Sequence, residues 1–280
     1  MVRKAFGIGA ATLAIAGALC GAKSANATPA GLTFYPSTDI YGSGNYHFDA
    51  DTFVGADDSK TGAQVSSIGL TYGFGDGSDS TFGRSEIGFD YLANYFNNDF
   101  TLQDDGSKSG YSTGQRMLFN AKTQLFNNED TRVVAGIWGL GSKAVFAPNV
   151  AYVTGSKNFS FGRVHLGVAR SLQSENVVGE DRTNLTVGYD KVFAGGKLQF
   201  TVDYYTGDNT YSALAPGLIY YINDKAAVQI GYIRPNDAVA FGAKNQVYLG
   251  FDYNFGGSLD KKVPESAPAP ETSTSAPANQ

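Results

Sequence analysis

Two histidines and a set of charged residues are the side chains of this sequence that could take part in chemistry. His47 and His165 stand far apart in the chain, and no H-E-x-x-H motif is present. Nucleophilic catalysis needs a Ser or Cys beside a base that a third group orients. The sequence offers no such set, so we expect no enzyme activity and no cofactor, with both histidines as structural residues.

The sequence also gives little support for a metal site or a phosphate site. Two histidines would need carboxylates from several other segments to complete a zinc site, and no Asp spacing matches a calcium loop. The glycine-rich run 73–77 opens no helix, which argues against phosphate binding. The single cysteine, Cys20, lies in the N-terminal leader described below, so the rest of the chain has no disulfide or thiolate site.

The charged residues become informative through the alternating pattern in which they stand. Apolar or aromatic residues alternate with small or polar ones, as in a β-strand with one face toward oil and the other toward water. In the last such segment, Val247, Leu249 and Phe251 alternate with Tyr248 and Gly250. The inward-facing charged residues that this pattern predicts are Asp49, Asp51, Glu86, Asp90, Arg116, Lys122, Arg132, Arg163, Asp190, Lys197, Asp203 and Asp252. His47 and His165 are expected to face inward as well.

The elements that position these side chains are about twelve strands, and ten or fourteen remain possible. The sixth and tenth are the least regular. The predicted strands lie near 44–54, 64–74, 84–96, 115–125, 131–140, 148–155, 159–171, 183–192, 197–206, 212–222, 226–234 and 245–255.

The connections distinguish a membrane barrel from a soluble sandwich. One set is short, at 127–130, 156–158, 194–196 and 223–225, whereas the other set is mostly long and includes 55–63, 97–114, 172–182 and 235–244. Short turns at one end and long loops at the other are typical of outer-membrane barrels. We therefore predict an all-β fold, a closed antiparallel transmembrane β-barrel.

The two ends of the chain predict export and a tail. A basic start, a short apolar run and the Ala25-Asn26-Ala27 site indicate a cleaved signal peptide over residues 1–27. Residues 28–256 then form the barrel. Residues 257–280, rich in Pro, Ala, Ser and Thr, are expected to be a disordered periplasmic tail. The formal net charge of −5 argues against nucleic-acid binding.

The closing residues Tyr253-Asn254-Phe255 resemble the aromatic-terminated last strand of bacterial outer-membrane barrels, which the outer-membrane assembly machinery recognises. In many such proteins the aromatic residue is the final one, whereas here a tail follows it. Residues 217–232 also loosely resemble hairpins of the uncharacterised outer-membrane family named for the phenol-degradation (MetA) pathway. This second resemblance implies the same fold and location and carries no functional residue.

These observations predict a bacterial outer-membrane protein, surrounded by membrane lipid and lipopolysaccharide. Strand direction places Glu86, Asp190 and Asp252 with Lys122, Arg132, Arg163 and Lys197 in the inner half of the lumen, and Asp49, Asp51, Asp90, Asp203 and Arg116 in the outer half. The inner charges could brace a filled lumen or form a constriction that filters solutes. Many inward positions hold glycine, which favours space inside: Gly69, Gly73, Gly88, Gly136, Gly167, Gly188, Gly217, Gly231 and Gly250.

The leading functional hypothesis is a passive channel for small solutes with a mild cation preference, since acids outnumber bases in the long loops. A closed structural or adhesive barrel that acts through its loops is the second hypothesis. A lipid-modifying enzyme of the outer membrane is the third.

Overall fold

The computed structural model describes residues 30–56, 65–75, 83–95, 117–141, 149–174, 178–241 and 244–256. The predicted signal peptide, the predicted tail and Arg116 lie outside these residues. The predictions made for them therefore stay predictions.

The described residues form twelve strands and one short helix. The strands are β1 (Tyr46–Gly55), β2 (Val65–Phe74), β3 (Ser85–Tyr95), β4 (Met117–Asn127), β5 (Thr131–Leu140), β6 (Val150–Phe159), β7 (Gly162–Ser171), β8 (Thr183–Phe193), β9 (Leu198–Tyr205), β10 (Ala213–Tyr221), β11 (Ala226–Pro235) and β12 (Gln246–Phe255). The helix, α1, spans Ala238–Phe241. The sixth and tenth strands, whose patterns are the least regular, are both present.

Each strand pairs antiparallel with its neighbours in the chain, and the ring closes where β1 pairs with β12. The closing register runs from Tyr46 opposite Phe255 to Gly55 opposite Gln246. The predicted fold class, a closed antiparallel barrel of twelve strands, is confirmed. Closure leaves no strand edge that could pair with another chain.

The two faces of the sheet differ as the alternation predicts. The outward face is apolar, and on β3, β4, β7 and β8 it exposes Ile87, Phe119, Leu166 and Leu185. The inward face carries buried polar and charged side chains, because the side-chain period of two turns every second residue toward the lumen. No helix in the described part of the chain has the length and hydropathy needed to span a bilayer.

Short turns lie at the end of the barrel that holds Tyr46 and Phe255, which we call the inner end. Two of these turns are closed by an asparagine side chain, because Asn128 Oδ1 accepts from the backbone of Thr131 and Asn223 Oδ1 accepts from that of Ala226. In the turn after β8, Ala194 and the following glycines adopt positive φ angles. The opposite end, which carries the longer connections, is called the outer end.

One predicted turn is wrong. Residues 156–158 read Ser-Lys-Asn and look like turn formers, yet they belong to β6, and the turn lies at 160–161. Ser156 pairs with His165 and Asn158 with Arg163, so the ladder continues past the predicted end. The alternation also continues, since Ser156 is buried in the lumen and Lys157 is exposed.

Candidate functional site: a lumen occupied by the N-terminal segment

The lumen is occupied by residues 30–41, which precede the first strand and which we call the plug. The plug folds back on itself, since Leu32 N donates to Tyr35 O at 2.9 Å and Ser37 N donates to Ala30 O at 2.9 Å. Its tip is formed by Thr33 and Phe34. Phe34, Tyr35 and Ser37 are at most 1% exposed, so the plug packs like core residues of a soluble domain.

The backbone N–H groups at the tip of the plug bind a single carboxylate oxygen of the barrel wall. Asp203 Oδ2, on β9, accepts hydrogen bonds from the backbone N–H groups of Thr33, Phe34 and Tyr35 at 2.9, 3.0 and 3.3 Å. Successive backbone N–H groups converging on one point form an anion-binding nest. The charge of Asp203 therefore fixes the conformation of the tip as well as its position.

The base of the plug is held by Glu86 on β3 and Lys122 on β4. Glu86 accepts from the backbone of Ala30 at 3.0 Å and of Tyr41 at 3.0 Å, so one carboxylate binds both ends of the plug. Lys122 Nζ lies 3.1 Å from Glu86 and donates to the carbonyls of Ala30 and Ser37. The buried ion pair thus has its remaining hydrogen-bonding positions filled by plug backbone, which offsets its desolvation.

The charged side chain of the plug, Asp39, binds the basic wall. Arg163 on β7 forms a bidentate pair with it, with N–O distances of 2.7 and 2.9 Å, and Arg132 on β5 adds a third hydrogen bond at 2.9 Å. The Nε of Arg163 also donates to Asp190 at 2.8 Å. Asp190 in turn contacts His165 Nε2 at 2.8 Å, so the predicted inward charges of β7 and β8 form one network.

The outer half of the lumen is aromatic, and the plug tip belongs to it. The ring of Tyr35 stacks on that of Tyr205 with centroids 3.6 Å apart, and the ring of Phe34 packs edge-on against Phe53 and Trp138. The Tyr35 hydroxyl donates to the backbone carbonyl of Tyr211. Burial, with the charge of Asp203 in second place, raises the pKa of Tyr35 well above its usual value, so this hydroxyl stays a donor.

Four of the predicted inward glycines make room for the plug. A Cβ added to Gly217 or to Gly231 would lie 2.5 Å from Thr33, and one added to Gly188 would lie 2.5 Å from Leu32. At Gly73 the nearest atom would be the carbonyl oxygen of Tyr41, at 2.3 Å. The glycines do leave space inside the barrel, as the sequence indicated, but the plug fills the space over these four.

Acidic residues dominate the wall formed by β12, β1 and β3. His47 contacts Asn254 through Nδ1 at 2.7 Å and Asp252 through Nε2 at 3.2 Å, and the ring of Tyr41 stacks on it. On the same wall Asp51 accepts from the Tyr248 hydroxyl at 2.7 Å.

The structure corrects two details of the predicted site. Lys197 lies in the exposed turn before β9, because the strand begins one residue later at Leu198, and so it does not line the lumen. The predicted position of Asp49 in the outer half of the lumen is wrong. Asp49 stands directly opposite Asp252, an acid of the inner half, in the closing register.

Of the other predicted lumen charges, Glu86, Lys122, Arg132, Arg163 and Asp203 all bind the plug directly. Asp190 reaches it through Arg163. Asp49, Asp51 and Asp90 line the acidic wall together with Asp252.

Sequence reasoning missed Asp39 and the plug as a whole. The run Leu32-Thr33-Phe34-Tyr35 precedes the first alternating segment and carries three large apolar or aromatic side chains in four residues. A segment of that kind needs a place to be buried, and this was the available signal. Over the described ranges, no three His, Cys, Asp or Glu side chains are grouped so that they could hold a metal ion.

Comparisons with known proteins give structural likeness only. No family model matches the chain, and no curated protein matches it. Among solved structures, the KdgM porin has a TM-score of 0.44 at 12% identity and covers 75% of this chain and 99% of its own. The outer membrane phospholipase A from Escherichia coli has a TM-score of 0.41 at 9% identity, covering 79% and 95%. The outer membrane channel DcaP of Acinetobacter baumannii has a TM-score of 0.33 at 13% identity, covering 78% and 96%. The resemblance to the phenol-degradation family stays a prediction.

Proposed function

We propose that this protein is a bacterial outer-membrane channel for small solutes whose lumen is closed at rest by the plug. Its location is supported by the closed ring of strands, by the apolar outward face and by the short turns at the inner end. Because every backbone group of a closed barrel is paired within the sheet, such a ring can cross a bilayer. Membrane lipid and lipopolysaccharide surround it, the assembly machinery inserts it, and the tail lies in the periplasm.

The observation that carries the gating part of the proposal is how the plug is held. It lies outside the sheet and is attached to the wall by side-chain hydrogen bonds and ion pairs of Asp203, Glu86, Lys122, Arg163 and Arg132. These wall groups are polar and would be solvated by water if the plug left. A lumen with such a wall can be filled either by the plug or by water and solute.

The link between plug and barrel provides a bending point. Residues 42–45 connect Tyr41 to β1, and Gly44 has a φ of 79°, a conformation that glycine adopts at low cost. Gly44 N donates to Gly73 O at 2.8 Å, and Asn45 N donates to Gly42 O at 3.0 Å. Opening requires the contacts of residues 30–41 to break while this short link stays at the inner end.

A reversible cross-link tests the gating. The hydroxyls of Thr33 and Thr201 are in hydrogen-bonding contact, so Thr33→Cys with Thr201→Cys places two thiols within reach of a disulfide. Cys20, the one natural cysteine, lies in the predicted leader. In planar bilayers we expect the oxidised double variant to stay closed and the reduced protein to show conductance steps, with each single variant unaffected by reductant.

A cation preference belongs to the same proposal. With the plug removed, the described wall carries Asp49, Asp51, Asp90, Asp203 and Asp252 among its acids, and these outnumber its bases. We expect a mild preference for cations that weakens when Asp49, Asp51 and Asp203 become Asn together. An unchanged reversal potential would remove this assignment.

A permanently closed structural or adhesive barrel is the second candidate, and the aromatic packing around Phe34 and Tyr35 favours it. The cross-link experiment separates the two. If the reduced protein, shown to be folded by heat-modifiable gel mobility, never conducts, the barrel is structural. Lipid-modifying activity is the third candidate and requires turnover that is lost on substitution of His47 or His165.

A further inference from the structure

Asp49 and Asp90 face each other inside the barrel wall on either side of a glycine. In the register of the sheet, Gly69 on β2 stands opposite Asp49 on β1 and opposite Asp90 on β3. A Cβ at Gly69 would lie 2.2 and 2.4 Å from the two oxygens of Asp49 and 2.4 Å from Asp90 Oδ1. Both carboxylates therefore converge on the space that the missing side chain leaves.

Asp49 has no hydrogen-bond donor to stabilise its charge. It is 1% exposed, and neither of its carboxylate oxygens accepts a hydrogen bond from a donor in the described residues. Asp90 differs, because its Oδ2 accepts from Asn120 Nδ2 at 2.9 Å. A buried ionised carboxylate without a donor or a counter-charge is strongly unfavourable, because it has lost its hydration and gained nothing in its place.

Among the described residues, the charged groups that act most strongly on Asp49 are all acidic. They are Asp90, Asp51 on the same strand and Asp252 on β12. His47 is held by Asp252, and Lys122 on β4 is paired with Glu86 on β3. From the plug, Tyr41 contributes a neutral phenol, because burial raises its pKa well above the usual value.

We propose that Asp49 and Asp90 bind one positive charge between their carboxylates, a shared proton or a small cation in its place. Two carboxylates this close cannot both ionise without one, as in acid pairs that share a proton. The Asp49–Asp90 contact brings two hydrogen-bond acceptors together. One proton on either carboxylate makes it a donor to the other, so a single proton satisfies both. A metal ion would have few protein ligands here, so we expect the proton.

Infrared difference spectroscopy of the full mature protein in detergent tests the site. We expect a protonated-carboxyl band at neutral pH that shifts in D2O and is lost in both Asp49→Asn and Asp90→Asn. The matched control is Asp208→Asn, which changes an exposed acid of the connection after β9 and should keep the band. Loss of the band identifies the shared proton.

A second arm distinguishes a cation from a proton. The spectra are repeated with Na⁺ or Ca²⁺ added and with both removed by chelation and dialysis. A band that appears only without the added ion assigns the charge to that cation. A wild-type spectrum with no protonated-carboxyl band and no change with either ion would overturn the proposal.

The midpoint temperature of thermal unfolding gives an independent test of the shared proton. Asp49→Asn supplies an amide donor to Asp90 in place of the proton, so its midpoint should match the wild type at neutral pH and stay constant as the pH rises. The wild type should lose stability over the same range, because removal of the shared proton leaves two buried charges. Equal pH dependence of wild type and variant would contradict the proposal.

Discussion

Arg163 and Asp39 form a bidentate ion pair across the lumen, with Nη1–Oδ1 at 2.7 Å and Nη2–Oδ2 at 2.9 Å. The pair joins the N-terminal segment to the seventh strand, 124 residues further along the chain. Arg163 also donates to Asp190 on β8, so a second contact within the barrel wall orients its guanidinium. The plug therefore docks onto a prepared partner.

Asp39→Asn should loosen the plug. It removes the carboxylate that Arg163 and Arg132 share and leaves the buried Arg163 paired with Asp190, so the cost should fall below the roughly 3–5 kcal/mol of a buried charge left without any partner. We expect more frequent channel openings in planar bilayers and a lower urea midpoint. Asp208→Asn, at an exposed position, is the control. Identical opening frequencies in the two variants would show that the ion pair does not hold the plug.

Gly217→Ala should displace the plug tip. The new Cβ would lie 2.5 Å from Thr33 Oγ1, and a Cβ essentially never approaches another atom so closely. We expect a cysteine at position 33 to react faster with a maleimide when Gly217 is replaced. Gly155→Ala on β6 is the control, since its nearest contact would be an ordinary 3.5 Å. Equal labelling rates in the Gly217→Ala and Gly155→Ala backgrounds would show that Gly217 does not make room for the plug tip.

Phe34→Ala should destabilise the barrel as a core substitution does. Phe34 is 1% exposed and packs against Phe53 and Trp138, so its loss should lower the unfolding free energy by about 3–5 kcal/mol. Phe119→Ala removes an exposed ring from the outward face and is the comparison. Urea unfolding, followed by gel mobility, measures both. A smaller loss for Phe34→Ala than for Phe119→Ala would mean that the tip contributes little to stability.

Leu166→Arg tests the membrane placement. Leu166 lies at the middle of β7 on the outward face and is 63% exposed. A charge at the midplane of a membrane barrel costs about 2–4 kcal/mol, and much less near the interface. Leu172→Arg, just beyond the outer end of the same strand, is the matched control. Refolding into lipid vesicles should separate the two variants, and equal stability would contradict the placement.

Period-two alternation predicted the twelve strands because each wall residue faces either outward or toward the lumen, and that choice is local. It also placed Glu86, Lys122, Arg163 and Asp203 inside correctly. The residue at which a strand ends depends less on the local alternation, because it is set by pairing with the neighbouring strand. Lys197 lies one residue before the start of β9 and therefore in a turn, and at 156–158 the ladder of β6 continues through residues that look like turn formers.

The plug could not be derived in the same way. Residues 30–41 lie inside the barrel through contacts with strands far along the chain, such as Tyr35 with Tyr205 and Thr38 with Ser156. No spacing within the sequence predicts those partners. The inward glycines indicated space, but only the structure shows that the first residues of the barrel domain fill it over four of them.

The plug precedes β1 in the chain, and the ring closes where β1 meets β12. Synthesis therefore has an order: the segment to be enclosed is made before the first strand, whereas β12, which completes the enclosure, is the last of the twelve strands to be made. An affinity tag placed directly before residue 30 would have to be threaded into the lumen or would keep the plug outside. A tag on the C-terminal side meets no such obstacle, and comparing the two placements would report on when the interior is filled.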